Sequence, residues 1–150
     1  MKYHRVAPAA LATAVGFCAL FVLSGCGNSP PAHPPPTDQA VIAEFQTISP
    51  PAGSTVSRGI STKAKLGATL VSSRYLSSLA QKKVAAEYAE VLAKRGWTRL
   101  KKFGNGTHWG ESYCKGSLMA SLEFLDTPPD AASAFEFGLS WSVVTENECS

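Results

Sequence analysis

Phe135-Glu136-Phe137-Gly138-Leu139-Ser140-Trp141-Ser142-Val143 decides the fold class of this chain. Every odd position is large and apolar, and every even one is small or polar. Side chains alternate across a strand, so the stretch reads as one strand with one buried face. Burying each large side chain contributes roughly 1.5–3 kcal/mol, so the stripe must face a core. Just before it, Asp126-Thr127-Pro128-Pro129-Asp130 is a break. Ser117 to Leu125 precedes the break as another strand, with Leu118, Ala120, Leu122 and Phe124 on one face.

Working back, Trp97 to Phe103 and Trp109 to Lys115 flank Gly104-Asn105-Gly106, which predicts a hairpin because Asn-Gly tolerates left-handed backbone. A helix is predicted over Leu79 to Arg95. Val84, Tyr88, Val91 and Leu92 fall on one face, and Ser77 or Ser78 is the expected N-cap. Glu90 and Lys94 are four apart in the favourable order, and Lys94 and Arg95 suit the negative end of the helix dipole. Gly96 supplies the left-handed stop, with Trp97 folding back onto the last turn. Further upstream, Leu66 to Tyr75 reads as a strand, 52–64 as a loop, and Val41 to Ile48 as a first strand ended by Pro50 and Pro51. The order strand, strand, helix, then four strands implies an α+β domain: an antiparallel sheet of about four to six strands with one helix across a face. The run of Tyr75, helix, Gly96-Trp97 and hairpin resembles small modules of exported bacterial proteins, a resemblance that brings no activity with it.

The domain is expected over residues 40–150. Residues 27–39, GNSPPAHPPPTDQ, carry Pro30, Pro31, Pro34, Pro35 and Pro36 and too few apolar groups for a core. They read as a polyproline II spacer of about 3.1 Å per residue, with His33 in solvent.

The first 25 residues have the form of an export signal. Lys2 and Arg5 are basic, Val6 to Leu23 carries no charge, and Ser24 and Gly25 are small. An uncleaved anchor is the competing reading, at the lower edge of spanning length. Leu23-Ser24-Gly25-Cys26 resembles the lipobox of bacterial lipoprotein precursors. That resemblance implies diacylglycerol on the Cys26 sulfur, cleavage before Cys26, and acylation (often palmitate) of the new amino group. Two or more chains suffice for stable anchoring. Gly27 stands where an aspartate often retains such proteins in the inner membrane, so the resemblance implies the outer membrane, facing the periplasm.

The formal charge of +3 includes Lys2 and Arg5; without them 12 basic residues face 11 acidic ones. Neither this balance nor export suggests nucleic acid. Of the four cysteines, Cys18 falls in the signal and Cys26 is the lipid site. Cys114 and Cys149 remain, an even pair expected to form a disulfide in an oxidising compartment; two free thiols or an intermolecular bridge are the alternatives.

No catalytic, cofactor-binding or metal-ligating residues are expected. His108 and Cys114 would make a base and a nucleophile only if the thiol stayed free. Glu111, Glu123, Asp126 and Glu136 are scattered carboxylates rather than a pair, and Gly104-Asn105-Gly106-Thr107 lacks the lysine of a phosphate loop. Two features point to binding. Lys94, Arg95, Arg99, Lys101 and Lys102 form a basic run suited to head groups, acidic glycans or an acidic partner. Trp97, Phe103, Trp109 and Tyr113 gather around one hairpin, where aromatics either read a surface or close the core. The expected function is a non-enzymatic envelope lipoprotein held at the membrane through Cys26, which binds another envelope protein or a cell-surface polymer. A small hydrolase or transferase acting on wall or glycan is the alternative.

Overall fold

The computed structural model describes residues 36–143 and residue 149. The expected export signal, Cys26 and the expected tether up to residue 35 lie outside the described residues. The described chain runs α1 (Asp38–Gln46), β1 (Ser54–Lys65), β2 (Ala68–Ser77), α2 (Gln81–Lys94), β3 (Thr98–Asn105), β4 (His108–Lys115), β5 (Leu118–Leu125) and β6 (Ser133–Ser142). The six strands form one antiparallel sheet in the order β1-β2-β6-β5-β4-β3. The fold is α+β, an open sheet with two helices, and β1 and β3 are its edges.

The alternating stripe becomes β6, the strand between β2 and β5. Phe135, Phe137 and Leu139 are fully buried. Their partners on the same face are Tyr75, Ser73 and Val71 of β2 and Phe124, Leu122 and Ala120 of β5. Aromatic rings link the layers. Phe137 stacks on Tyr88 of α2 at 4.6 Å and lies 5.9 Å from Phe45 of α1. Phe135 stacks on Tyr75 at 5.2 Å and meets Tyr88 edge-on, and Phe124 continues the row to Trp109 at 4.5 Å. Val143, at the end of the stripe, leaves the core and is 63% exposed.

Helix α2 forms where its apolar periodicity places it and buries Val84, Tyr88 and Leu92. Its start differs from expectation. The N-cap is Ala80, with no side-chain cap, and the Ser77 hydroxyl instead accepts from the Leu79 amide at 3.1 Å. Its end is a Schellman stop. Gly96 sits at φ +80°, its amide donates to the Ala93 carbonyl, and the Trp97 amide donates to the Leu92 carbonyl at 3.0 Å. Glu90 and Lys94 pair at 2.6 Å.

Two expectations are corrected. The segment expected as a first strand is helix α1, which also takes in Asp38 and Gln39 of the supposed tether. Val41, Phe45 and Ile48 are all buried, at spacings of four and three, so the helical period prevails over the weak alternation. Thr37 caps the helix, its hydroxyl oxygen accepting from the Ala40 amide at 3.2 Å. The segment expected as a loop, 52–64, holds most of β1. This strand pairs only with β2 and, past Ser54, is exposed along its length. With water on both faces it carries no apolar alternation to read. Irregularities between Val56 and Arg58 and between Arg58 and Ser61 break its ladder, a common device for blunting an edge.

The β3–β4 hairpin forms, but its turn falls later than expected: Gly104 and Asn105 belong to β3, Asn105 stands opposite His108, and Gly106-Thr107 make the turn. Cys114 and Cys149 are joined by a disulfide across a sequence separation of 35. Lys115, next to Cys114, pairs with Glu44 of α1 at 2.8 Å and thereby ties that helix to the sheet.

Candidate functional site

A register irregularity between Arg99 and Lys101 sorts the basic run of β3 across the sheet. Arg99 lies opposite Tyr113, and Lys102 opposite Glu111, on the helix-covered face. Lys101 lies opposite Ser112 on the other face. The extra residue, Leu100, is 38% exposed. In a regular ladder, Arg99 and Lys102, three residues apart, would point to opposite sides, since side chains alternate; the bulge at Leu100 puts them on one side.

Arg99 and Lys102 therefore converge on a groove of about 270 Å³ between α2 and the β3–β4 edge. Ala85, Ala86 and Ala89 form its helix wall, and Lys82 joins the two cations at its rim. Small residues on α2 leave the space open. Trp109 lines the sheet side, 8% exposed. Its indole N–H donates to the Gln81 side chain at 2.7 Å, and the Gln81 amide donates to the Thr107 carbonyl at 3.2 Å. The first residue of α2 thus fixes both the indole and the hairpin turn. The Lys102 ammonium sits 3.9 Å from the Trp109 ring centre, a cation–π contact.

Glu111 is the only carboxylate among the lining residues, and it is 6% exposed. One oxygen accepts from the Arg99 guanidinium at 2.7 Å and the other from the Tyr113 hydroxyl at 2.6 Å. Burial, followed by the bond to Glu111, pushes the Tyr113 hydroxyl above the ordinary phenol range, so it stays a donor. Bonded at both oxygens, Glu111 orients Arg99 on this face of the groove. Replacing Glu111 by leucine should cost about 1–3 kcal/mol, because the buried Tyr113 hydroxyl loses its acceptor. Arg99 is half-exposed, so the ion pair itself adds little. Urea unfolding checks this; an unchanged midpoint would show that water replaces the carboxylate.

The other residues singled out in the sequence lie elsewhere. Lys94 is 72% exposed and pairs with Glu90. Arg95 lines a separate groove of about 350 Å³, with Pro51, Glu87 and Tyr88. Of the aromatic group, Trp97, Trp109 and Tyr113 belong to the core, while Phe103 lies on the opposite face, across from Gly110. His108 and Asp126 meet at 3.1 Å with side chains 62% and 91% exposed. Cys114 is held in its disulfide and is no nucleophile. No group of three or more His, Cys, Asp or Glu able to hold a metal occurs among the described residues, and no described helix is long and apolar enough to cross a membrane.

Lys82 and Gln81 were missed in the sequence. They stand on the first turn of α2, remote in sequence from the basic run, and only helix packing brings them to Arg99 and Lys102. No family model matches this sequence, and no curated protein or solved structure does.

Proposed function

We propose that the chain is a lipid-anchored envelope lipoprotein with a non-enzymatic binding role, whose groove between α2 and β3–β4 receives an anionic group of an envelope protein or cell-surface polymer. The observation that carries this reading is the convergence of Lys82, Arg99 and Lys102 on one alanine-walled groove. Three cations meet a single carboxylate there, and that carboxylate is already bonded twice. A guanidinium held by a buried partner is pre-oriented, which reduces the ordering cost of taking a second anion. The lipobox-like Leu23-Ser24-Gly25-Cys26 and the proline-rich tether support the anchored setting, and the Cys114–Cys149 disulfide fits an oxidising compartment.

Replacing Cys26 by serine should abolish acylation and leave the precursor uncleaved or mislocalised. Mass spectrometry and membrane fractionation check this, and normal mature lipoprotein from that variant would overturn the anchor. For the groove, a photo-crosslinker at Ala86 in living cells should capture an acidic protein or polymer. Lys82→Glu with Lys102→Glu should remove that capture, whereas Lys94→Glu, outside the groove, should leave it intact. Capture that survives the double charge reversal would sink the groove as the binding site.

A further inference from the structure

We infer that the tip of the β1–β2 hairpin is a second contact between the protein and an anionic phospholipid surface. The inference rests on the lipid anchor proposed above and assigns an orientation to the anchored domain. Leu66 and Gly67 form the two-residue turn between paired Lys65 and Ala68. Gly67 takes φ +77°, and a Cβ there would lie 2.4 Å from the Val143 side chain, so only glycine lets the turn close against the end of β6. The Val143 amide donates to the Gly67 carbonyl at 2.8 Å. This brings two outward apolar side chains together, Leu66 at 102% exposure and Val143 at 63%.

The same tip is basic. Lys63 and Lys65 are exposed and carry the charge of the tip; Arg58 and Arg74 stand opposite each other farther down the hairpin, where Arg74 is paired with Glu136. Apolar side chains at a point flanked by lysines suit a lipid interface, where the former enter the acyl boundary and the latter meet the phosphates.

What selects a membrane over other occupants is the root of the tether. Pro36 and Asp38 share one open groove of about 610 Å³ with Lys65, Leu66 and Trp141. The carboxylate there is engaged, since the Thr69 hydroxyl donates to Asp38. The chain therefore enters the folded domain beside the tip. About ten residues separate Cys26 from Pro36, a reach of about 30 Å even as extended polyproline II. Because the leash is rooted beside the tip, that corner is the part of the domain it keeps closest to the bilayer. β1 and β3 are opposite edges of the sheet, about 24 Å apart at roughly 4.8 Å per strand step. A docked tip thus holds the α2/β3–β4 groove away from the lipid.

The test uses the mature, acylated protein reconstituted into phosphatidylethanolamine–phosphatidylglycerol vesicles, with or without bromine on the acyl chains to quench tryptophan. With the parent signal subtracted, Leu66→Trp should lose fluorescence in brominated vesicles, and Leu100→Trp on β3 should not. Adding Lys63→Ala and Lys65→Ala should lower the docked-to-free ratio about twenty-fivefold, at roughly fivefold per lysine near an anionic surface. It should have no such effect on phosphatidylcholine vesicles. An acylated Leu66→Trp protein whose fluorescence ignores bromine, or one quenched no more than Leu100→Trp, overturns the tip contact and leaves the anchor standing. A Cys26 found without lipid overturns both.

Discussion

Replacing Phe137 by alanine is expected to cost the domain about 3–5 kcal/mol. Its ring is 1% exposed and lies between Tyr88 of α2 and Phe45 of α1, on a strand paired on both sides. It therefore binds both helices to the middle of the sheet, and stacked aromatic pairs add to simple burial. Neighbours held by sheet hydrogen bonds cannot collapse far into the space left behind, which places the loss at the high end for a core truncation. Small domains are stable by roughly 5–15 kcal/mol, so the variant loses much of its margin. Urea unfolding followed by far-ultraviolet circular dichroism measures this. A change in stability below about 1 kcal/mol would mean that the aromatic row does not hold the layers together.

Removing the disulfide is the second large effect. Cys114 and Cys149 close a loop with a sequence separation of 35. In the chain-entropy model such a closure stabilises the fold by up to about 4 kcal/mol. Cys114→Ser combined with Cys149→Ser should shift the urea midpoint down by a corresponding amount, and reducing the parent protein with dithiothreitol should reproduce that shift. The double variant is preferred because a single one leaves a thiol free to pair between molecules. Equal midpoints for oxidised and reduced protein would show that the bond constrains little in the unfolded chain.

Both effects depend on residues whose roles were legible in the sequence. The strict alternation from Phe135 to Val143 could be satisfied only by a strand with one buried face, and only Val143, at its end, leaves that face. The helix before Gly96 carried its own apolar stripe and its own stop, so α2 was readable without its neighbours. The edge β1 was not, because a strand wet on both faces has no periodicity that separates it from a loop. Helix α1 was misread because its two buried residues, Val41 and Phe45, and Ile48 just past its end lie within so short a stretch that a period of two and one of 3.6 compete. The candidate site was half legible. A cluster of lysines and arginines announced a basic surface, but not which of them would share it.

Local order along this chain thus set α2, β6 and the β3–β4 hairpin, since each carries its periodicity or turn chemistry within a few residues. Tertiary contact alone decided the rest. The unpaired Leu100 shifts the β3 register and sends Arg99 and Lys102 to one face and Lys101 to the other. Helix packing then adds Lys82 and Gln81 to that face. The reason is geometric: a side chain's face depends on its count from the last hydrogen-bonded pair, and that count is fixed only when the partner strand is in place.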